Sequence, residues 1–258
     1  MVDKFLNIDC FEGIKTIEDN SVDLILEDMP YNTTACDWDV KIDLELYWKT
    51  RLRILKPTGV ICLTANQPFT SELVMSNRDM FKYEWIWEKG KQTNFLNAKY
   101  RPLGEHENIL LFGGGTYNPQ LKQLTESGRK RLNRNHNSVF TDKESVYGNI
   151  VNLEVMKYKN KIEGYPKTII KFNAEANNQF QKQVFHPTQK PVGLFEYLIR
   201  TYTNEGDLVF DGFAGSGTTG IACEKSNRNY IMFEKEKKYY DLAQKRLEQF
   251  RSQLKLAL

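Results

Sequence analysis

Short apolar runs alternate with amphipathic stretches along most of this chain. Continuous or alternating apolar runs predict strands over 4–8, 23–27, 59–65, 83–87, 107–112, 207–210 and 229–233. Between several of them the apolar positions recur at helical spacing, predicting helices over 10–17, 44–55, 67–75, 194–201 and 218–224, with a last one over 235–256. Lys56-Pro57 closes the second of these helices, because proline cannot continue the hydrogen-bond ladder. The last places Tyr239, Leu242, Ala243, Arg246 and Leu247 at helical spacing, as expected of a helix packed on a sheet. Strand and helix in alternation predict an α/β fold with a mostly parallel sheet covered on both faces. Segment 114–185 breaks the rhythm: it follows Gly113-Gly114-Gly115, is rich in Asn, Lys and Tyr, and shows little periodicity. It reads as an insertion between a first half, 1–113, and a second half, 186–258.

Composition sets bounds on this picture. The 258 residues are 40% hydrophobic and 27% charged, ordinary for a globular chain able to bury a full core. No apolar stretch approaches the roughly 20 residues of a membrane span, and the first residues lack the apolar core of a signal peptide, so a cytoplasmic protein without membrane attachment is expected. Cys10, Cys36, Cys62 and Cys223 form no C-x-x-C pair; buried free thiols are expected, and neither a metal site nor a disulfide framework. The net charge of +3 is unevenly spread: 114–185 holds 12 Lys+Arg against 6 Asp+Glu, leaving 24 against 27 elsewhere. Arg129, Lys130, Arg131 and Arg134, then Lys157, Lys159 and Lys161, are the densest basic positions. Such a cluster is either a solvated face or a surface for phosphates.

Two stretches carry candidate chemistry. DMPY, 28–31, follows the apolar run ending at Leu26, so Asp28, Pro30 and Tyr31 stand where the chain leaves a buried strand. In open α/β sheets that edge is where ligands bind. FDGFAGSGTTG, 210–220, passes from a strand into a helix, with glycines that let a ligand approach backbone at a helix amino terminus. Three ligands suit such a turn. Gly215-x-Gly217-x-x-Gly220 matches the dinucleotide pattern, with Glu234 placed for a ribose. A P-loop is disfavoured because Thr218 stands where its lysine belongs. S-adenosylmethionine shares the ribose-to-acid contact and lacks the pyrophosphate. A dinucleotide fold would open with this loop, yet one strand and one helix remain after residue 220, so the chemistry must lie upstream, at DMPY.

An exocyclic amine of a nucleobase is a weak nucleophile, its lone pair delocalised into the ring. A carboxylate accepting one N–H and a backbone carbonyl accepting the other would stabilise the positive charge that develops during attack on an electrophilic methyl. Asp28 can be the first acceptor and the carbonyl beside Pro30 the second, while Tyr31 can stack on a base taken out of the duplex.

With HPTQKP at 186–191, these stretches resemble the amino-methylating DNA methyltransferases, in particular the circularly permuted beta group. The resemblance runs through IDCFEGI at 8–14, SVDLILEDMPY at 21–31, HPTQKPVGLFEYLIRTYTNEGDLVFDGFAGSGTTG at 186–220 and NYIMFE at 229–234. It implies a Rossmann-like methyltransferase sheet, mostly parallel with one antiparallel strand, helices on both faces, circularly permuted motif order and an inserted target-recognition region. It implies S-adenosylmethionine as cofactor. Asp211, Phe213, Ala214, Gly215, Ser216, Gly217, Thr218 and Thr219 would cradle its methionine end, with Asp28 alongside. Glu234 would meet the ribose, Asp9 the adenine, and His186, Thr188 and Lys190 the amino-acid end. It implies double-stranded DNA as partner, with Arg129, Lys130, Arg131, Arg134, Lys157 and Lys159 on it. A homodimer and a restriction endonuclease counterpart are compatible with the resemblance and decided by nothing in the sequence. An aspartate opening the catalytic motif goes with adenine N6 as target; relatives acting on cytosine N4 more often begin with serine.

Met29 and Gly212 depart from the family's usual Asp-Pro-Pro-Tyr and Asp-Pro-Phe-Ala-Gly. The first changes backbone shape, and the second adds freedom beside the cofactor loop. Rival readings are a cytosine-N4 enzyme, an enzyme acting on RNA, a catalytically weak DNA-binding relative, and a nicotinamide oxidoreductase, which leaves DMPY and HPTQKP unexplained. Trp85 and Trp87 are expected in sheet packing, His106 at the surface or in a cap, and Lys89 in solvent.

Overall fold

The computed structural model describes residues 3–31, 42–133, 162–173 and 189–256. Expectations for Cys36, Arg134, Lys157, Lys159, Lys161, His186 and Thr188 lie outside these residues. The chain forms two compact units, one of Met1–Asn118 with Lys167–Leu258 and one of Pro119–Pro166. In the smaller unit, β6 (Lys122–Gln123) pairs antiparallel with β7 (Glu163–Gly164), and α4 spans Glu126–Asn133.

The larger unit holds eight strands: β1 (Lys4–Leu6), β2 (Val22–Glu27), β3 (Leu55–Ala65), β4 (Phe81–Thr93), β5 (Gly104–Gly113), β8 (Ile169–Lys171), β9 (Leu208–Asp211) and β10 (Asn229–Phe233). They lie in the order β1-β10-β9-β2-β3-β5-β4-β8. β5 alone among them runs antiparallel to the rest, as expected of this fold class. The alternation of side chains along each strand divides the core into two layers. Leu24, Leu26, Val60, Cys62, Val209 and Met232 face α5 (Val192–Tyr202), α6 (Thr218–Ser226) and α7 (Lys237–Leu256). Ile25, Ile61, Leu63, Phe210, Ile231 and Phe233 face α1 (Cys10–Gly13), α2 (Leu44–Ile54) and α3 (Phe69–Ser76). Continuous apolar runs such as LIL in β2 are therefore buried on both sides. Cys10, Cys62 and Cys223 are buried free thiols. Among the described residues there is no cluster of metal-ligating side chains and no helix long and apolar enough to cross a membrane.

Three local features differ from the sequence expectation. Lys56-Pro57 lies inside β3, which starts directly after the helix ends at Ile54; Lys56 is half-exposed and Pro57 and Thr58 exposed, in the stretch where the register with β2 shifts and a missing N–H is tolerated. β4 continues to Thr93 as a hairpin arm with β5. β8 has only Ile170 buried, too little apolar signal to be found by period. The order of strands reverses between β9 and β2. β9 leads through α6 to β10 on one side, and β2 through α2 to β3 on the other. Such a switch point opens a crevice at the carboxyl ends.

Candidate active site

β2 delivers Glu27 and Asp28 to that crevice. The Asp28 carboxylate is held from two sides. Its Oδ1 accepts from the Tyr31 hydroxyl at 2.7 Å and from the Thr64 hydroxyl. Its Oδ2 lies 2.6 Å from Lys190 Nζ. Tyr31 packs against Phe69 with ring centroids 5.4 Å apart. Burial, then the carboxylates of Asp28 and Glu107, push its hydroxyl pKa well above the usual range, so it remains a neutral donor. Burial would lower the Lys190 pKa, but Asp28 and Glu107 more than offset it, leaving the ammonium above the ordinary lysine range. Glu107 Oε2 is 3.5 Å from Lys190 Nζ, and Glu107 Oε1 is 3.2 Å from Lys89 Nζ. Asp28, Lys190, Glu107 and Lys89 thus form a row of alternating charges. Because β5 is antiparallel, its amino-terminal residue Glu107 reaches the same edge as the carboxyl end of β2.

β9 supplies the second wall. Asp211 accepts the Phe213 N–H at 2.9 Å and the Thr219 hydroxyl, tying the turn to the first residues of α6. Burial pushes the Asp211 carboxyl up to about 8; the two hydrogen bonds oppose this, and Glu27 and Asp28 add to it. The turn needs glycine at Gly215 (φ 49°) and at Gly217 (φ 73°), where a Cβ would also come 3.1 Å from Ala243. Glu234 accepts the N–H groups of Gly215, at 2.9 Å, and of Glu236, at 2.7 Å; burial raises its pKa and these bonds oppose the rise. Arg246 braces the turn from α7 through Ser216 and Thr218.

A third group lies beneath both walls. Glu27 and Arg51 are fully buried and joined at 2.9 Å. Glu27 also accepts the Tyr47 hydroxyl at 2.6 Å and the Gly212 N–H at 3.0 Å. The Arg51 guanidinium lies 4.5–5.7 Å from the ring centroids of Phe11, Tyr47, Phe210 and Phe213. A Cβ on Gly212 would stand 2.7 Å from Glu27 Oε1 and 2.8 Å from Arg51 Nη2. Gly212 is therefore a tethered position whose N–H is used, and not the point of added freedom expected from its departure from proline. Met29 is buried in the core below the turn, which explains an apolar side chain there.

One pocket brings Asp28 together with Gln189, Lys190, Phe195, Asp211, Phe213, Ala214, Gly215, Ser216, Thr218 and Thr219. Gly217, Glu234 and Asp9 are not in its lining; Asp9 caps α1, accepting from the Phe11 N–H at 2.9 Å. Arg129 and Lys130 are exposed on α4, which also includes Arg131, and Lys130 pairs with Glu126 at 2.7 Å. Trp85 and Trp87 are buried, their indole N–H groups donating to Tyr202 and to the Phe172 carbonyl. Lys89 is buried and paired with Glu107, contrary to the expected solvated lysine. Glu27, Arg51, Thr64 and Glu107 were not picked out as site residues from the sequence. A carboxylate closing an apolar run was a signal for Glu27; the others carry none.

A family model described as DNA methylase matches residues 22–245. The Type II methyltransferase M.HpaI of Haemophilus parainfluenzae is 28% identical over 249 residues, spanning 92% of this chain and 71% of that protein. M1.MboII of Moraxella bovis is 26% identical over 265 residues, spanning 94% and 95%. The crystal structure of the M1.HpyAVI–SAM complex superposes with a TM-score of 0.61 at 25% identity, covering 96% of this chain and 100% of that one. The cytosine-N4-specific PvuII DNA methyltransferase gives 0.66 at 16% identity, covering 98% and 91%, a likeness of fold.

Proposed function

The chain belongs to the DNA methylase family, and from that premise we propose that it methylates the exocyclic N6 amine of an adenine turned out of duplex DNA. It is an S-adenosylmethionine-dependent DNA methyltransferase of the N6/N4 type. The observation that carries the methyl-transfer reading is the convergence of Asp28 and the glycine-rich turn on one pocket; the choice of adenine rests on the aspartate that opens the motif.

The pocket suits the cofactor's amino-acid end chemically. The Asp28 carboxylate and the Asp211 carboxyl, which a cation beside it would deprotonate, face its cationic groups, the Lys190 ammonium suits its carboxylate, and the glycines allow close approach to backbone. When bound, S-adenosylmethionine supplies an electrophilic methyl on a sulfonium. The chain does the rest by placement. Asp28 accepts an N–H of the target amine and stabilises the charge that grows on nitrogen, the carbonyl beside Pro30 accepts the other, and Tyr31 offers its half-buried ring to the base. Tyr31 and Thr64 hold Asp28 Oδ1, so the carboxylate is oriented before the base arrives. Phe213 through Thr219, with Lys190, cradle the methionine end, Glu234 the ribose and Asp9 the adenine. His186 and Thr188 complete the amino-acid end, and residues 114–185, with the basic positions of α4, hold phosphates and read base edges. Aspartate at the head of the motif favours adenine over cytosine, and the Type II relatives support a role beside a restriction endonuclease.

The test is transfer of labelled methyl to duplex DNA followed by digestion to nucleosides. N6-methyladenine is expected, and Asp28→Ala, which removes both the acceptor of the target N–H and one acid of the cofactor pocket, should abolish transfer even at saturating cofactor while cofactor affinity is weakened and not lost. N4-methylcytosine as product, or wild-type rates in Asp28→Ala, would overturn the assignment.

A further inference from the structure

The arm formed by β4 and β5 presents surface that the methyl-transfer site does not use. Asn108 of β5 pairs with Ala65 at the carboxyl end of β3, and β5 extends four residues further to Gly104, about 13 Å past that edge. The connection at its tip, 94–103, carries Phe95, Leu96 and Tyr100 at 61%, 97% and 86% exposure. It is a built turn. Asn94 is left-handed at φ 68°, and the Ala98, Tyr100 and Arg101 N–H groups donate to the carbonyls of Phe95 and Asn97. Lys91, Lys99 and Arg101 surround the apolar residues, all exposed, and no acidic residue lies between Gly90 and Gly104. At the arm's base, Glu107 contacts Lys190, which contacts Asp28. The arm therefore rises from the catalytic edge itself, not from a remote face.

Three large apolar side chains held in water next to three cations suit one class of partner. Cations take phosphates, and apolar side chains take the space between stacked bases, where architectural DNA-binding proteins insert Phe or Leu. A second copy of this chain fits less well. Three side chains cannot supply the roughly 1,000 Å² of a stable dimer interface, and two such tips would repel.

We propose that the 94–103 tip is a DNA wedge: Phe95 and Leu96 enter the duplex beside the target base and fill the gap its departure leaves, while Lys91, Lys99 and Arg101 clamp the flanking phosphates. This rests on the base-turning reading above. The wedge stabilises the everted state by occupying the vacated stack, and the arm's rigid base fixes its distance from Asp28.

The experiment places 2-aminopurine at the adenine that the transfer assay identifies and compares the full-length wild type with F95S/L96S and K99A/R101A. F95S/L96S should lose about tenfold in the eversion signal and in kcat/KM for DNA, the order of one lost base-stacking contact. Its cofactor affinity by calorimetry should be unchanged. K99A/R101A should flatten the slope of log affinity against log salt by about 1.8, two phosphate contacts' worth. Variants matching wild type in both readouts would overturn the wedge. So would sedimentation showing that F95S/L96S turns a dimer into monomers with duplex affinity per protomer unchanged. If the wild type transfers no methyl to DNA, the functional reading fails first, and that outcome is distinct from an active wild type indifferent to its tip.

Discussion

Arg51→Met isolates the buried ion pair that joins the two walls of the site. Arg51 and Glu27 have 0% side-chain exposure, so no water can replace the lost cation. Methionine keeps much of the stem's bulk but leaves a carboxylate with only the Tyr47 hydroxyl and the Gly212 N–H. Breaking a buried pair from one side costs about 3–5 kcal/mol. Glu27→Gln should cost a similar amount, because it strands the guanidinium among aromatic rings. The double variant is the decisive one. Its amide oxygen can still accept from Gly212, and neither charge remains to be desolvated, so the residual cost should be about 1–3 kcal/mol for imperfect pairing. Two independent losses would instead sum to roughly 6–10 kcal/mol. Urea denaturation reads this directly as midpoint shifts at constant slope. A double variant as damaged as the sum of the singles would refute the coupling. Arg51→Met should also weaken cofactor binding, since Phe213 loses the cation it packs on and Gly212 its fixed anchor.

Gly212→Pro, restoring the family's usual residue, should destabilise the fold by about 1–3 kcal/mol, because it removes the N–H that Glu27 accepts; thermal melting and cofactor titration check it, and a more stable variant would contradict the tether. Asp211 has its pKa raised to about 8 from an ordinary 3.8. The folded state therefore holds a proton that the unfolded chain has lost. Its contribution to stability is complete below about pH 4 and drains as pH rises to about 8. A cationic ligand beside it should expel that proton, so cofactor affinity should rise with pH up to about 8; calorimetry in buffers of different ionisation enthalpy should show proton release, and none would refute the assignment. Tyr31→Phe should retain the ring and lose one hydrogen bond to Asp28, lowering kcat by about tenfold or less, whereas Tyr31→Ala should lose far more; equal losses in steady-state assays would deny the ring a separate role.

The alternation of apolar runs determined the strands and helices of the larger unit apart from β8, and the positions of DMPY and FDGFAGSGTTG determined which edge carries chemistry. Both are local properties: a period of two or 3.6, a proline's fixed φ and a glycine's freedom are legible wherever they occur. What only the tertiary structure decided is the company these residues keep. Thr64, Lys190 and Glu107 lie 36, 162 and 79 positions from Asp28; Thr64 and Lys190 meet its carboxylate and Glu107 meets Lys190, because the carboxyl ends of parallel β2 and β3, the amino-terminal part of antiparallel β5 and the residues leading into α5 share one edge. Arg51 looks in sequence like any basic residue of a surface helix; it is buried because α2 turns it beneath the switch point, where Glu27 offers a matching charge. Lys89 shows the same thing, since an apparently solvated loop lysine sits in a strand and finds its carboxylate. Burial and charge pairing depend on residues distant in the chain, and no window of sequence contains both partners.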